Sequence, residues 1–337
     1  MTIIARLVTT MTAPLDRASA DAPEVACFPG RRFLVQHGDT EVVALDGAGD
    51  VRFPAPWPRR SGSVAVSPRR DVAVFAGPES LRAVEPDGAT RWEVRHGRWE
   101  DGDGGSVAFG ADGAVVWAHV LGVPGDDTDA ADGHEEQWLV LDAADGTVLG
   151  RAGTATVASG SVHTPHPDPA RMGLSIGEGE EDSPALWGRW DGRRLTVEQV
   201  RAERILLATS PSGRQVLSVD LGQWSLTVHD GPRARDLEAE GTVPAHPDDP
   251  TGEGRVYWDH HAAFPDEGTV VAGTSESDAG YGPVRHWLVD AATMTLRGEI
   301  AYPVPVSGPA RAAGDGAWFT VSEQGTSVHL WQPAEER

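Results

Sequence analysis

Apolar and polar positions along the chain follow a repeated pattern. A short run of small and apolar residues leads into a turn of Pro, Gly and Asp, and a second apolar run follows. The clearest copies read SVAVSPRRDVAVF, SVAFGADGAVVWA and ILLATSPSGRQVLSV. Seven copies begin near Glu24, Ser63, Ser106, Ser161, Leu206, His261 and Pro309. Short apolar runs separated by such turns predict pairs of antiparallel β-strands.

The spacing of the copies predicts how the strands are grouped. Successive copies lie 39 to 55 residues apart, which leaves room for four short strands in each. A repeat of this size indicates an array of small sheets, most simply a β-propeller. We therefore predict an all-β protein: one domain over residues 1–337, built as a single seven-bladed β-propeller of four-stranded antiparallel blades.

The sequence also predicts the later strands of several blades. In the second blade we expect strands at Ser80–Val84 and Thr90–Val94, on either side of the turn EPDG. The last blade lacks a recognisable outer strand, and the N-terminal TIIARLV has the length and apolarity to supply it. We predict that residues 1–10 close the ring in this way, because closure removes an exposed sheet edge.

Three phrases in the chain resemble known propeller repeats. VALDGAGDVRF, AVEPDGATRWEV and VLDAADGTVLG each pair a strand ending in an acidic residue with a Gly turn and an outer strand. Trp92 takes the place where the outer strand of such repeats often carries Trp. In these features the chain resembles the quinoprotein, YVTN and WD40-like superfamily of propellers. The resemblance implies a propeller architecture, and it leaves the function open because one fold serves many functions.

The loops predict a functional face. Strand direction alternates within a blade, so loops between strands one and two open on one face, while loops between strands two and three, or between blades, open on the other. The first class is short. The long loops, at 123–136, 177–184, 244–254 and 275–283, fall in the second class. Long loops gathered on one face are where we expect function.

Two segments on that face carry the candidate site residues. RWEDGDGG precedes the third blade and VYWDHHAAF precedes the sixth. For partner binding we single out Trp99, Asp103, Trp258 and His261. For an acid–base or metal site the candidates are Glu100, Asp101, Asp259 and His260. The alternative is that Trp and His pack between blades while the acidic residues are solvated.

His163 and His166 resemble a metal-ligand pair in the sequence, but the repeat alignment separates them. His163 aligns inside the innermost strand of its blade, and His166 falls in the turn on the short-loop face. We therefore expect no metal site there and no cofactor, with a divalent cation near the two candidate segments kept as an alternative.

Charge and composition narrow the classes of partner. The formal net charge is −23, and the chain has no Lys. Such an acidic surface disfavours nucleic acid and anionic membranes and favours a basic protein or peptide partner. The single cysteine, Cys27, ends an apolar strand and is expected to be inert. No apolar run reaches transmembrane length, and we expect a cytoplasmic protein.

The sequence therefore favours a non-catalytic binding or scaffold propeller. It would present an acidic, Trp-containing loop face to a protein or peptide. No P-loop, Gly-x-Ser-x-Gly or Cys-x-x-Cys motif is present. The alternative is a propeller lyase or hydrolase with a metal or acid–base site on the same face.

Overall fold

The computed structural model describes residues 2–99, 105–122, 135–178, 183–201, 203–252 and 254–334. Within these ranges the chain is almost entirely β-strand. The first fourteen strands are β1 Thr2–Thr12, β2 Glu24–Phe28, β3 Arg31–His37, β4 Glu41–Asp46, β5 Gly49–Pro54, β6 Ser63–Val66, β7 Ala73–Ala76, β8 Ser80–Val84, β9 Thr90–Arg95, β10 Ser106–Phe109, β11 Val115–Leu121, β12 Glu136–Asp142, β13 Val148–Gly153 and β14 Gly160–Pro165.

The second half of the chain continues in the same way. Its strands are β15 Arg171–Gly177, β16 Ala185–Trp190, β17 Leu195–Arg201, β18 Arg204–Thr209, β19 Gln215–Asp220, β20 Ser225–Asp230, β21 Arg233–Glu238, β22 Ala262–Asp266, β23 Thr269–Gly273, β24 His286–Asp290, β25 Thr295–Ala301, β26 Ser307–Gly314, β27 Ala317–Val321 and β28 Ser327–Pro333. The described helices are one 3₁₀ turn, Arg59–Ser61, and the single-turn helix α1, Ser275–Asp278. Neither is long and apolar enough to span a membrane.

The described strands form five four-stranded sheets and one mixed eight-stranded sheet, all antiparallel except for one parallel pair. The all-β prediction is confirmed. The prediction of seven separate blades is met only in part, because six sheets are present. The chain also divides into two compact units: unit 1 is Met1–Ala13, Ala22–Arg32 and Arg204–Arg337, and unit 2 is Pro14–Asp21 and Phe33–Glu203.

Three four-stranded sheets lie wholly within unit 2: β6 to β9, β10 to β13 and β14 to β17. In each, consecutive strands are neighbours, as short hairpin turns require. The apolar faces of the second and third of these sheets pack around Trp117 and Trp138, which are fully buried with ring centroids 5.2 Å apart. Gly188 is required here, since a Cβ at this position would lie 2.6 Å from the Trp117 ring.

Unit 1 contains the sheet β18 to β21 and the eight-stranded sheet. The larger sheet runs β22-β23-β24-β25-β1-β28-β27-β26, so β1 lies between two groups of later strands. β1 pairs antiparallel with β28 from Ala5 to Thr12, and it pairs parallel with β25 over Thr2 to Ile4. The first strand of the chain thus supplies the fourth strand of the group formed by β26, β27 and β28.

Candidate functional site

Trp258 lies in the core of unit 1 and not on its surface. Its side chain is fully buried, and Nε1 donates a hydrogen bond to the carbonyl of Leu237 at 3.1 Å. It packs in the cluster that contains Leu226, Val228 and Trp287. The sequence pattern predicted that this indole contacts a partner, but a side chain with no exposed surface cannot make such a contact.

Asp259 anchors the start of α1. Its carboxylate is 1% exposed; Oδ2 accepts from the Ser275 hydroxyl at 2.8 Å and Oδ1 accepts from the Glu276 amide at 2.9 Å. Burial raises the pKa of this carboxyl to about 6, although the hydrogen bonds oppose the shift. Both oxygens are occupied by groups of the protein, so the geometry gives Asp259 a structural role in fixing α1.

His260 and Glu276 form a half-exposed ion pair beside Asp259. His260 Nδ1 lies 3.3 Å from Glu276 Oε1. The hydrogen bond with Glu276 raises the pKa of His260, and the same contact lowers the pKa of Glu276 to about 2. Gln223 fixes the carboxylate from the other side, since Nε2 donates to Glu276 Oε2 at 2.8 Å and to the carbonyl of Trp258 at 2.7 Å.

His261, the next residue along, has a different environment. Burial and, to a smaller extent, the nearby Arg311 guanidinium lower its pKa to about 4. The imidazole of His261 is therefore neutral at pH 7, whereas the raised pKa of the neighbouring His260 favours its protonated form.

Exposed aromatic side chains lie close to this pair, at positions that the sequence analysis did not single out. Trp224 and Tyr281 are 38% and 39% exposed. Tyr257 contacts Trp224 edge-on with ring centroids 6.5 Å apart, and the Arg255 guanidinium lies 5.5 Å from the Trp224 ring centroid. We call Trp224, Arg255, Tyr257, His260, Glu276 and Tyr281 the aromatic surface.

Local loop structure holds Tyr281 in this surface. Its ring stacks on His246 with centroids 6.0 Å apart, and a Cβ at Gly254 would lie 2.7 Å from the tyrosine hydroxyl. The loop at 244–254 is fixed in turn by Asp249, which accepts from the Gly254 amide at 2.7 Å. The available sequence signal was an aromatic residue within a polar turn, as in LGQWS and AGYGP.

The second candidate segment belongs to unit 2, and only part of it is described. Trp99 is 7% exposed, and its ring centroid lies 5.9 Å from that of His119. Glu100, Asp101 and Asp103 lie outside the described residues. Trp99, like Trp258, therefore packs against the interior of its own unit.

The remaining candidates have structural contacts. His163 lies within β14, as the repeat alignment predicted, and its Nε2 accepts from Trp138 Nε1 at 3.1 Å. His166 follows that strand, and its Nδ1 accepts from the Asp168 amide at 2.9 Å. In the described part of the chain, no three His, Cys, Asp or Glu side chains are grouped so that they could hold a metal ion.

Burial raises the pKa of the Cys27 thiol to about 12.

Comparison with known proteins identifies the fold and no family. No protein-family model matches the sequence, and no curated protein matches it. Solved structures do match. The β-propeller domain of Cps50 (Swd1) from Myceliophteria thermophila aligns with a TM-score of 0.56 and 13% identity, over 98% of this chain and 100% of that one.

Two further structures align over nearly the whole chain. BamB from Moraxella catarrhalis has a TM-score of 0.51 and 13% identity, with 99% of each chain covered. Hydrazine synthase from Kuenenia stuttgartiensis has a TM-score of 0.56 and 12% identity, over 94% of this chain and 97% of that one. At such low identity the likeness concerns the fold alone, and the chain has a β-propeller fold.

Proposed function

We propose that the chain is a binding propeller whose aromatic surface docks a protein or peptide. The observation that carries the proposal is the exposure of Trp224 and Tyr281 on one side of unit 1, next to the charged groups of Arg255, His260 and Glu276. Tyr, Trp and Arg are the residues that most often dominate binding energy at protein interfaces.

The contacts within the aromatic surface favour binding because they reduce its mobility. Tyr257 and Arg255 restrain Trp224, while His246 restrains Tyr281. A side chain that is already held in place loses less conformational entropy when a partner binds. The two exposed rings therefore have the rigidity and the area expected of anchors.

Charge favours a basic partner. The chain carries a net charge of −23, and the exposed carboxylate of Asp248 and the partly buried carboxylate of Asp249 lie in the loop that holds Tyr281. A lysine or arginine of a partner would gain from this field. The proposed ligand is thus a peptide segment that combines basic and apolar residues.

We also propose that the number of blades is seven. The eight-stranded sheet consists of β22 to β25 and of β26 to β28 with β1, and each group is a four-stranded unit like the other five sheets. The two groups are joined by the short parallel pairing of Thr2 to Ile4 with β25. Counting them separately gives seven blades, with β1 as the strand that closes the ring.

Affinity capture from the native cell, compared between variants, tests the binding proposal. A Trp224→Ala, Tyr281→Ala double variant should lose partners that the wild type retains, because both anchors are removed. Val157→Ala is the matched control, since Val157 is an 83% exposed apolar side chain in unit 2. The purified partner should then bind the wild type and the control with equal affinity. Its affinity for the double variant should be at least about tenfold lower. Equal binding to all three proteins would reject the aromatic surface.

The acid–base alternative now depends on His260, which is paired with Glu276 and half-exposed. A lyase or hydrolase at this place with a metal should show a higher melting temperature with Mn²⁺, Zn²⁺ or Mg²⁺, and the shift should disappear in an Asp259→Ala, His260→Ala variant. Absence of any shift in the wild type would remove the metal-dependent form of this alternative. A cytoplasmic location stays a prediction, which cell fractionation can check.

A further inference from the structure

Two ionisable side chains are buried in otherwise apolar strands of unit 2. His119 interrupts the run VVWAHVL in β11, and Glu136 begins β12; they are 0% and 3% exposed. In the register of the sheet His119 pairs with Trp138, and Leu121 pairs with Glu136. His119 and Glu136 are therefore diagonal neighbours on one face, within reach of each other.

The two side chains are in direct contact. His119 Nε2 lies 3.3 Å from Glu136 Oε2, and this nitrogen makes no hydrogen bond to any of the described residues. Burial alone would raise the pKa of Glu136, but contacts with His119, the Thr156 hydroxyl and the Ala158 amide outweigh it and hold the pKa below its usual value. Glu136 is thus a carboxylate that faces one edge of the imidazole.

A serine from the neighbouring sheet faces the other edge of that imidazole. The Ser161 hydroxyl on β14 lies 3.0 Å from His119 Nδ1 and 2.6 Å from the Ser106 hydroxyl on β10. Ser161 is partly exposed, whereas His119 is fully buried. The resulting order is hydroxyl, imidazole, carboxylate, which is the arrangement that activates a serine nucleophile.

The same position in another sheet of unit 2 lacks this chemistry. Ser63 corresponds to Ser106 and Ser161 in the sequence repeat. Its hydroxyl donates to the Gly105 carbonyl at 3.3 Å and accepts from the Val107 amide at 3.1 Å, with no imidazole among its contacts. At this position of the repeat, Ser63 therefore only bridges two neighbouring strands, whereas Ser161 also contacts an imidazole.

A hydrogen-bond donor without a partner among the described residues, the indole N–H of Trp99, lies beside His119. The Trp99 ring packs against His119, and its Nε1 is buried without a partner in the described part of the chain. A Cβ at Gly105, the residue before Ser106, would lie 3.4 Å from that nitrogen. Buried donors without partners are rare, and an N–H of this kind is suited to an oxygen that gains negative charge.

We propose that Ser161 is a nucleophile for acyl transfer from small carboxylic esters, with His119 as its base and Glu136 as a positioning residue. Ser161 Oγ bonds to the ester carbonyl carbon while its proton passes to His119 Nδ1. The bond to the leaving alkoxide then breaks, and the alkoxide takes that proton from His119. Water next attacks the acyl-serine as His119 accepts its proton, and the carboxylic acid leaves as Ser161 regains its hydrogen.

The other titratable group facing His119 does not compete for the proton. His163 lies on β14, two residues after Ser161, and burial, together with the nearby His119, lowers its pKa to about 3. It is neutral at pH 7, so Glu136 is the charge that acts on the imidazole of His119. This site lies in unit 2, and it is independent of the aromatic surface in unit 1.

A fluorophosphonate probe on the full chain tests the proposal, because an activated serine displaces fluoride from phosphorus. Mass spectrometry of the wild type should locate the adduct on Ser161, and Ser161→Ala should abolish it. His119→Gln should slow labelling about 100-fold, as expected when a positioned base is lost. Ser63→Ala is the matched control and should label at the wild-type rate.

The role of Glu136 needs a readout besides rate. In Glu136→Gln the pH profile of labelling should move along the pH axis, because the charge that faces the imidazole is gone; a merely structural loss would lower the rate equally at every pH. Folded wild-type protein, verified by its melting transition, that carries no adduct on Ser161 would overturn the proposal. So would unchanged labelling of Ser161 in His119→Gln.

Discussion

Two tryptophans in unit 1 show how much a single residue's setting matters. Trp258 and Trp224 both lie close to polar segments of the sequence. The Asp and two His that follow Trp258 favoured Trp258 as the side chain that would bind a partner. Trp258 is fully buried while Trp224 is 38% exposed. The difference arises from the contacts of Leu237 and Gln223 with Trp258, which join residues distant in the sequence. A repeat alignment could place the segment but not the direction of its side chains.

Replacement of the buried indole should destabilise the protein. Trp258→Ala removes a side chain from the core cluster and leaves the carbonyl of Leu237 without its donor. We expect a loss of about 3–5 kcal/mol in the free energy of unfolding. Trp224→Ala, as the comparison, should cost less than about 1 kcal/mol. Urea unfolding of both variants measures this, and equal losses would contradict the assignment of the two indoles.

The His260–Glu276 pair should make stability depend on pH. The raised pKa of His260 adds stability below its ordinary value of 6.5 and loses it as pH rises through the folded value. The pKa of Glu276, lowered from 4.5 to about 2, adds stability above 4.5 and loses it as pH falls. The pair therefore contributes most between pH 4.5 and 6.5.

Glu276→Gln should reveal this window. The difference in melting temperature between wild type and variant should be largest near pH 5.5 and should shrink above pH 7, by the linkage between protonation and folding. Asp259, whose pKa of about 6 makes stability fall as pH rises, is present in both proteins and largely cancels. Glu267→Gln is the control, because Glu267 accepts hydrogen bonds from Ser212 and is paired with no imidazole among the described residues. A difference that is constant with pH would contradict the pair's role.

At the scale of strands, the sequence was informative where apolar runs were bounded by turn residues. β8 at Ser80–Val84 agrees with its predicted bounds, and β9 extends one residue beyond the predicted Thr90–Val94. The joining of β25 to β1 was not predictable in this way. It depends on a parallel pairing of only three residues, Thr2 to Ile4, which leaves no periodic signal.

Removal of β1 should weaken unit 1 strongly. Deletion of residues 1–10 exposes the edges of β28 and β25 and uncovers Ile300 and Trp331, which pack in the same core cluster as Ala5. We expect the melting temperature to fall by about 5–10 °C, since several kcal/mol of packing and strand pairing are lost. Val8→Ser, an exposed change within the same strand, should have little effect. An unchanged melting temperature after the deletion would contradict a closing role.

The whole molecule is defined electrostatically by its acidic surface. A net charge of −23, with Arg as the only cationic side chain besides His, produces a repulsive field toward phosphate backbones. At about 0.15 M salt we expect no binding to duplex or single-stranded DNA at protein concentrations up to about 10 μM, because nonspecific binding depends on release of counterions by basic residues. Fluorescence anisotropy with labelled oligonucleotides measures this, and saturable binding in that range would contradict it.

The position of β1 also has a consequence for the order of events during synthesis. β1 is translated before all the other strands described, yet its partners β25 and β28 are among the last to leave the ribosome. Until then its exposed apolar residues Ile4, Leu7 and Val8 have no sheet to join. Contacts between such distant parts of a chain slow folding. Unit 1 therefore completes its folding only after β28 has been synthesised, and a nascent chain released before that point would carry an unpaired apolar strand that promotes chaperone binding or aggregation.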